Sequence, residues 1–163
     1  MSAVQLTDED INKLIYIPKP LPANYKRLLR YRAKPTSEQH EEAQFDIEAS
    51  SERTFRVMIR KNLINPLDFS VILGYIQKER LNILRLRRYN GIHEHTNKLE
   101  GMRFRGFHIH YATQRYQEAG WDIDDYAEPT EKYGTVDQAL ELYFNECNFI
   151  KPEDEKLQPK LLE

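Results

Sequence analysis

The feature that most constrains this chain is a run of segments in which apolar residues recur at every second position. Phe45, Ile47 and Ala49 alternate with polar partners, and Phe55, Val57 and Ile59 alternate with Arg56 and Arg60 on the other side. Phe69, Val71, Leu73 and Tyr75 follow. Leu84 and Leu86 then stand against Arg85 and Arg87, and Phe107, Ile109 and Tyr111 against His108 and His110. A period of two places alternate side chains on opposite faces of an extended strand, so one face is apolar and the other polar. Asn65-Pro66 and Lys78–Arg80 read as the turns between such strands.

Helical spacing flanks this core. Thr7 with Asp10 forms a capping box ahead of Ile11, Leu14 and Ile15, and Pro18 and Pro20 end that helix. Residues 18–35, with four prolines, read as irregular or short-strand chain. Thr135 with Gln138 forms a second box before Val136, Ala139, Leu140, Tyr143, Phe144 and Cys147, and a shorter helical turn is expected at Gln114–Ala119, ended by Gly120. The expected fold is α+β: an antiparallel β-sheet of about five strands, with an N-terminal helix and a C-terminal helix packed on one face. A length of 163 residues suits one domain, placed over residues 1–150, with a charged tail at 151–163.

Composition narrows the function classes. No apolar run approaches the roughly 18 residues of a membrane helix, and Met1–Asp10 has neither a basic nor an apolar leader region, so a cytoplasmic protein without a membrane partner is expected. The lone Cys147 leaves no internal disulfide framework and no cysteine-based zinc site. Charge is uneven: residues 1–77 carry +1, residues 78–118 carry +5 and residues 119–163 carry −8. The central block suits a bound anion such as a phosphate backbone, or else pairing with the chain's own acidic third.

Four of the five histidines, His93, His95, His108 and His110, fall in that basic block as two His-x-His pairs. In a strand, residues i and i+2 share a face roughly 7 Å apart. His108 and His110 alternate with apolar neighbours, so they are expected on the wet face, opposite buried Phe107, Ile109 and Tyr111. The strand Leu81–Arg88 is expected antiparallel to Arg105–Ala112, joined by a loop of about 16 residues that opens on the Asn90-Gly91 turn signal. Arg85 or Arg87 should then approach a histidine.

Three readings compete. In the first, paired imidazoles cleave RNA without metal or cofactor: one takes the 2′-hydroxyl proton, the other protonates the leaving oxygen, and arginine stabilises the charged phosphorane. His93, His95, His108, His110 and Arg88 are the candidate catalytic residues. Arg85, Arg87, Arg103, Arg105 and Arg115 are candidate RNA contacts, with Tyr89 stacking on a base. In the second, the histidines hold a transition metal. His93-x-His95-x4-Glu100 has the spacing of a first cupin motif, with Arg87 where a glycine belongs and a basic surround that disfavours a cation. In the third, the histidines are hydrogen-bonding staples of a binding module, in which either the acidic third, with Asp122, Asp124 and Asp125, imitates nucleic acid toward a protein partner or the basic face holds RNA.

At Arg88-Tyr89-Asn90-Gly91-x-His93-x-His95-Thr96-Asn97, followed by Phe107-His108-Ile109-His110, the chain resembles a bacterial and phage domain family of unknown function. The segment Asn65-Pro66-Leu67-Asp68-Phe69-Ser70 and the closing Asn148-Phe149 add to the resemblance, which covers most of residues 6–150. A looser similarity runs to small toxins of toxin–antitoxin pairs that carry an Arg-Tyr-Asp-Asn-type turn and a His-x-His strand; here Asn90-Gly91 stands in place of Asp-Asn. The resemblance implies action on RNA, as a toxin. Phage families of this size also include inhibitors of bacterial defence, anti-CRISPR proteins among them, so an antitoxin or a defence-system component is an implied partner.

Overall fold

The computed structural model describes residues 5–34 and 37–152. The expected tail and Pro35 lie almost wholly outside these residues. The elements, in chain order, are α1 (Asp8–Tyr16), β1 (Lys19–Pro20), α2 (Tyr25–Leu28), β2 (Arg32–Lys34), β3 (Ser37–Ala49), β4 (Arg53–Asn62), β5 (Phe69–Gln77), β6 (Asn82–Asn97), β7 (Met102–Tyr111), α3 (Gln114–Glu118), β8 (Tyr126–Pro129), α4 (Val136–Glu146) and β9 (Phe149–Ile150). The fold is α+β. Strands β2 to β8 form one antiparallel meander in sequence order, seven strands among the described residues rather than about five, and β1 pairs in parallel with β9. The two extra strands, β2 and β8, are short edges with little alternation to reveal them.

The larger correction concerns residues 89–104. They are not a long loop: β6 runs through them to Asn97, and only Lys98–Gly101 separates it from β7. Asn90-Gly91 is mid-strand. Gly91 is required for another reason, since a Cβ there would lie 1.9 Å from the Leu67 carbonyl oxygen. The β4–β5 loop crosses β6 at this point, and Ile92 N–H donates to that same carbonyl at 2.8 Å.

Pairing defines two faces. On the first, Ala43, Ile59, Val71, Tyr89 and Ile109 form one cross-strand row, and Phe45, Val57, Leu73, Arg87 and Tyr111 the next. This face meets the buried residues of α1 (Ile11, Leu14, Ile15) and α4 (Ala139, Tyr143, Phe144) in one apolar cluster, which supplies the main hydrophobic stabilisation. The Tyr143 hydroxyl donates to the Ile72 carbonyl at 3.2 Å. Lys19 is fully buried, and its ammonium donates to the carbonyls of Ile15, Ile17 and Cys147 at 2.7–2.9 Å. It thereby satisfies orphan groups at the ends of α1 and α4.

On the second face the rows read Glu42, Arg60, Ser70, Asn90, His108; then Gln44, Met58, Ile72, Arg88, His110; then Asp46, Arg56, Gly74, Arg85. A bulge in β6 makes this phasing. Leu73 pairs with Arg87 and Gly74 with Arg85, so Leu86 is the extra residue and turns to the core with Arg87. Strict alternation would have left Arg87 on the second face; the bulge puts Arg88 there instead.

Candidate functional site

All four clustered histidines lie on the second face. His108 and His110 sit on β7 opposite Asn90 and Arg88, while His93 and His95 sit further along β6 opposite Gly106 and Phe104. A second bulge, between Asn90 and His93, and Gly106 at φ +136° bend the far half of this hairpin. The bend carries the β6 tip over the second face to the outer edge of β8. There the Asn97 carboxamide donates to the Ala127 carbonyl at 2.8 Å and accepts from the Ala127 N–H at 2.9 Å. Asn97 thus pairs an edge that would otherwise be open.

The closed hairpin makes a small chamber filled with imidazoles. Ring centroids lie 4.7 Å apart for His95 and His110, 5.0 Å for His108 and His110, 5.6 Å for His95 and His108 and 6.3 Å for His93 and His108. This overturns the expectation that His108 and His110 are wet: they are 1% and 3% exposed. Their face is polar and lies away from the helices, but the bent hairpin covers it. Of their alternates, Ile109 is buried, while Phe107 and Tyr111 are only half-buried.

Each imidazole has a fixed tautomer. His108 Nδ1–H donates to the Gly106 carbonyl at 2.8 Å, and its Nε2 faces the Asn90 amide at 3.4 Å. Asn90 in turn accepts from the Ser70 hydroxyl. His110 Nδ1–H donates to the Asp124 carbonyl at 2.7 Å, with the Arg88 guanidinium 3.3 Å from the same nitrogen. His93 Nε2–H donates to Asp68 at 2.5 Å, and His95 Nε2–H to the Asn97 side-chain oxygen at 2.9 Å. Burial lowers the pKa of His108 to about 4 and that of His110 to about 2, with Arg88 and the neighbouring imidazoles pushing His110 the same way. Both are neutral at neutral pH. His93, with 32% of its side chain exposed, is the member of the cluster that also reaches Asp68.

The remaining sequence candidates separate. Arg88 and Arg85 share the second face with the cluster, and both approach the buried Asp124 carboxylate, at 3.2 and 3.3 Å. Arg87 instead lies over the Tyr111 ring at 4.7 Å in the core. Tyr89 is fully buried, its hydroxyl donating to Glu146 at 2.7 Å, so it offers no stacking face. Arg103 and Arg105 pair with Thr96 and Glu94, on the opposite side of the hairpin from the imidazoles. Arg115 is ion-paired with Glu100, away from the cluster. The acidic triad is not a free surface: Asp122 pairs with Arg85, Asp125 with Lys98, and Asp124 is fully buried.

Sequence spacing missed that Asp68, Asn97 and Asp124 serve the histidine cluster. Asp68 had one usable signal, the Asn65-Pro66 turn that sets it just before β5. It accepts from Asn62 as well as His93, lies 3.7 Å from His40, and is held below the usual carboxylate range by these partners against the effect of burial. Among the described residues no group of three or more His, Cys, Asp or Glu side chains is arranged to hold a metal ion. None of their helices is long and apolar enough to cross a membrane. No family model, curated protein or solved structure matches the chain.

Replacing Asn97 with alanine should destabilise the protein by about 2–4 kcal/mol, because it strands a buried N–H and a buried carbonyl at Ala127. Urea denaturation measures this, and an unchanged midpoint would show that closure of the hairpin onto β8 contributes nothing.

Proposed function

We propose that the protein acts on RNA, as a metal-independent endoribonuclease of toxin or anti-defence type working at the imidazole chamber. The observation that carries this reading is the His93–Asp68 pair. Asp68 holds Nε2–H of a half-exposed imidazole and so leaves Nδ1 as a base. In this mechanism His93 takes the 2′-hydroxyl proton, and His95, next along the same face of β6 and entering the step with a proton on Nδ1 as well as on the Nε2 held by Asn97, gives the Nδ1 proton to the leaving 5′-oxygen. Asp68 is a positioning residue. His108 and His110 are also positioning residues, because their burial keeps them from substrate.

The test is incubation of the full chain with tRNA and guide-like structured RNA in excess EDTA. Fragments ending in 2′,3′-cyclic phosphate are expected. His93→Ala should lower the rate about 10²–10⁴-fold, the usual contribution of a positioned acid or base. Intact RNA in every reaction of the unmodified protein would sink the nuclease reading.

A second reading is favoured by a separate observation. His108 and His110 each spend Nδ1 on a backbone carbonyl, and Arg85 and Arg88 are paired with Asp124. These are the marks of hydrogen-bonding staples in a non-enzymatic binding protein, directed at an antitoxin or a defence-system component. Under that reading, His93→Ala leaves partner binding intact.

A further inference from the structure

We infer that the arginine-rimmed groove beside the imidazole chamber, between β3 and β6 on the second face, is a binding site for a phosphate-type anion. Its floor is Met58 and Ile72 from adjacent strands, its far side is Glu42 and Gln44, and its rim is Arg60, Arg85 and Arg88. Pairing places these groups in consecutive rows: Arg60 one row above the floor, Arg88 in the floor's own row and Arg85 one row below. Three guanidiniums therefore border one concavity of about 170 Å³. That is smaller than the roughly 300 Å³ at which drug-sized sites begin, so it suits one phosphate group with part of its sugar rather than a whole oligonucleotide.

The lining itself carries three guanidiniums against one carboxylate, Glu42, an excess that favours an anion. Arg85 and Arg88 share one carboxylate, Asp124, for which the partly exposed Arg85 has Asp122 as a second, exposed partner. Arg60 makes no ion pair within 4.0 Å among the described residues, although Glu42, across from it on β3, lines the same groove. Arg88 is mostly buried, and its Nε has no well-aligned hydrogen-bond acceptor. A guanidinium fork that is desolvated and incompletely matched is the group that a phosphate oxygen satisfies with good geometry. The apolar floor excludes water from one side and strengthens that contact. Arg88 also touches His110, so an anion held here lies against the wall of the chamber.

The identity of the anion as an RNA phosphate rests on the RNA reading above; the site itself does not. The experiment is isothermal calorimetry with inorganic phosphate and, separately, with a short single-stranded RNA, on the full chain and on Arg60→Gln. Arg60 is the variant of choice because no ion pair to it is broken. The expected result is saturable phosphate binding that weakens at least fivefold in Arg60→Gln, while Arg53→Gln, outside the groove, leaves it unchanged. If RNA binding falls in parallel, the groove is a phosphate subsite of the RNA surface. If phosphate binding falls and RNA is not bound at all, the anion site stands and the RNA reading fails. No saturable phosphate binding, or equal binding by Arg60→Gln, overturns the site even where RNA is still bound or cut.

Discussion

Acidification from pH 7.5 to pH 4.5 should remove roughly 5 kcal/mol of stability through His108 and His110 alone, taking about 1.4 kcal/mol per pKa unit per group. The folded protein keeps both imidazoles neutral, down to about pH 4 for His108 and about pH 2 for His110. In the unfolded chain both take a proton near pH 6.5. Between those limits the unfolded state binds more protons, so stability falls as pH falls; it is present in full above about pH 6.5. The two rings are 5.0 Å apart, so the loss belongs to the pair. Asp124 works in the opposite sense, because burial raises its pKa and the folded state gains its proton earlier, which trims the loss. Urea midpoints at the two pH values measure the effect. His110→Asn places an amide donor where Nδ1–H stood and cannot titrate, so it should flatten the dependence by about half. Superimposable midpoints at pH 7.5 and 4.5 would mean that the imidazoles are not held neutral by the fold.

That sensitivity follows from a feature that alternation alone hides. Period-two spacing correctly brought Phe55, Val57, Ile59, Val71 and Leu73 to one face and His108 and His110 to the other, because pairing register preserves parity where no bulge intervenes; His93 and His95 reach that second face through the bulges of β6, the second reversing the phase shift of the first. The Thr7 box forms in full, with Thr7 Oγ1 accepting from Asp10 N–H and the Asp10 carboxylate accepting from Thr7 N–H. The Thr135 box forms only by half: Gln138 reaches back to Gly134 N–H instead.

Parity fails where a strand gains a residue. Leu86 shifts the phase so that Arg88, not Arg85 or Arg87, meets His110. Exposure fails for a different reason. Alternation says which side a histidine faces, but it cannot say that a glycine bend and one carboxamide, Asn97, will fold the same hairpin back over that side. Asp68 and Asp124 are local in neither sequence nor spacing to the histidines they serve, and only the crossing of the β4–β5 loop and the turn before β8 delivers them.

Asp124 is where this arrangement is most exposed to a single change. Asp124→Asn should destabilise the protein by about 3–5 kcal/mol, the range for breaking a buried ion pair from one side. The Asp124 side chain is 1% exposed and that of Arg88 19%, and burial is the largest influence on both, raising the pKa of Asp124 and lowering that of Arg88. Neither charge is stable there without the other. Arg85, 41% exposed, has Asp122 at 3.8 Å to fall back on, whereas Arg88 is left as a desolvated cation among imidazoles. The asparagine keeps the shape of the side chain, so a large loss reports charge rather than packing. A double-mutant cycle isolates it: adding Arg88→Met to Asp124→Asn removes the stranded charge and should recover more than half of the loss. The Asp124 backbone carbonyl also holds His110 Nδ1–H, so a loop displaced by the substitution frees that ring. The His110 resonance should then titrate closer to the ordinary imidazole range in Asp124→Asn and return toward its buried value in the double variant. A single variant within 1 kcal/mol of the unmodified protein, with His110 still refusing its proton, would show that the chamber stands without its counter-ion.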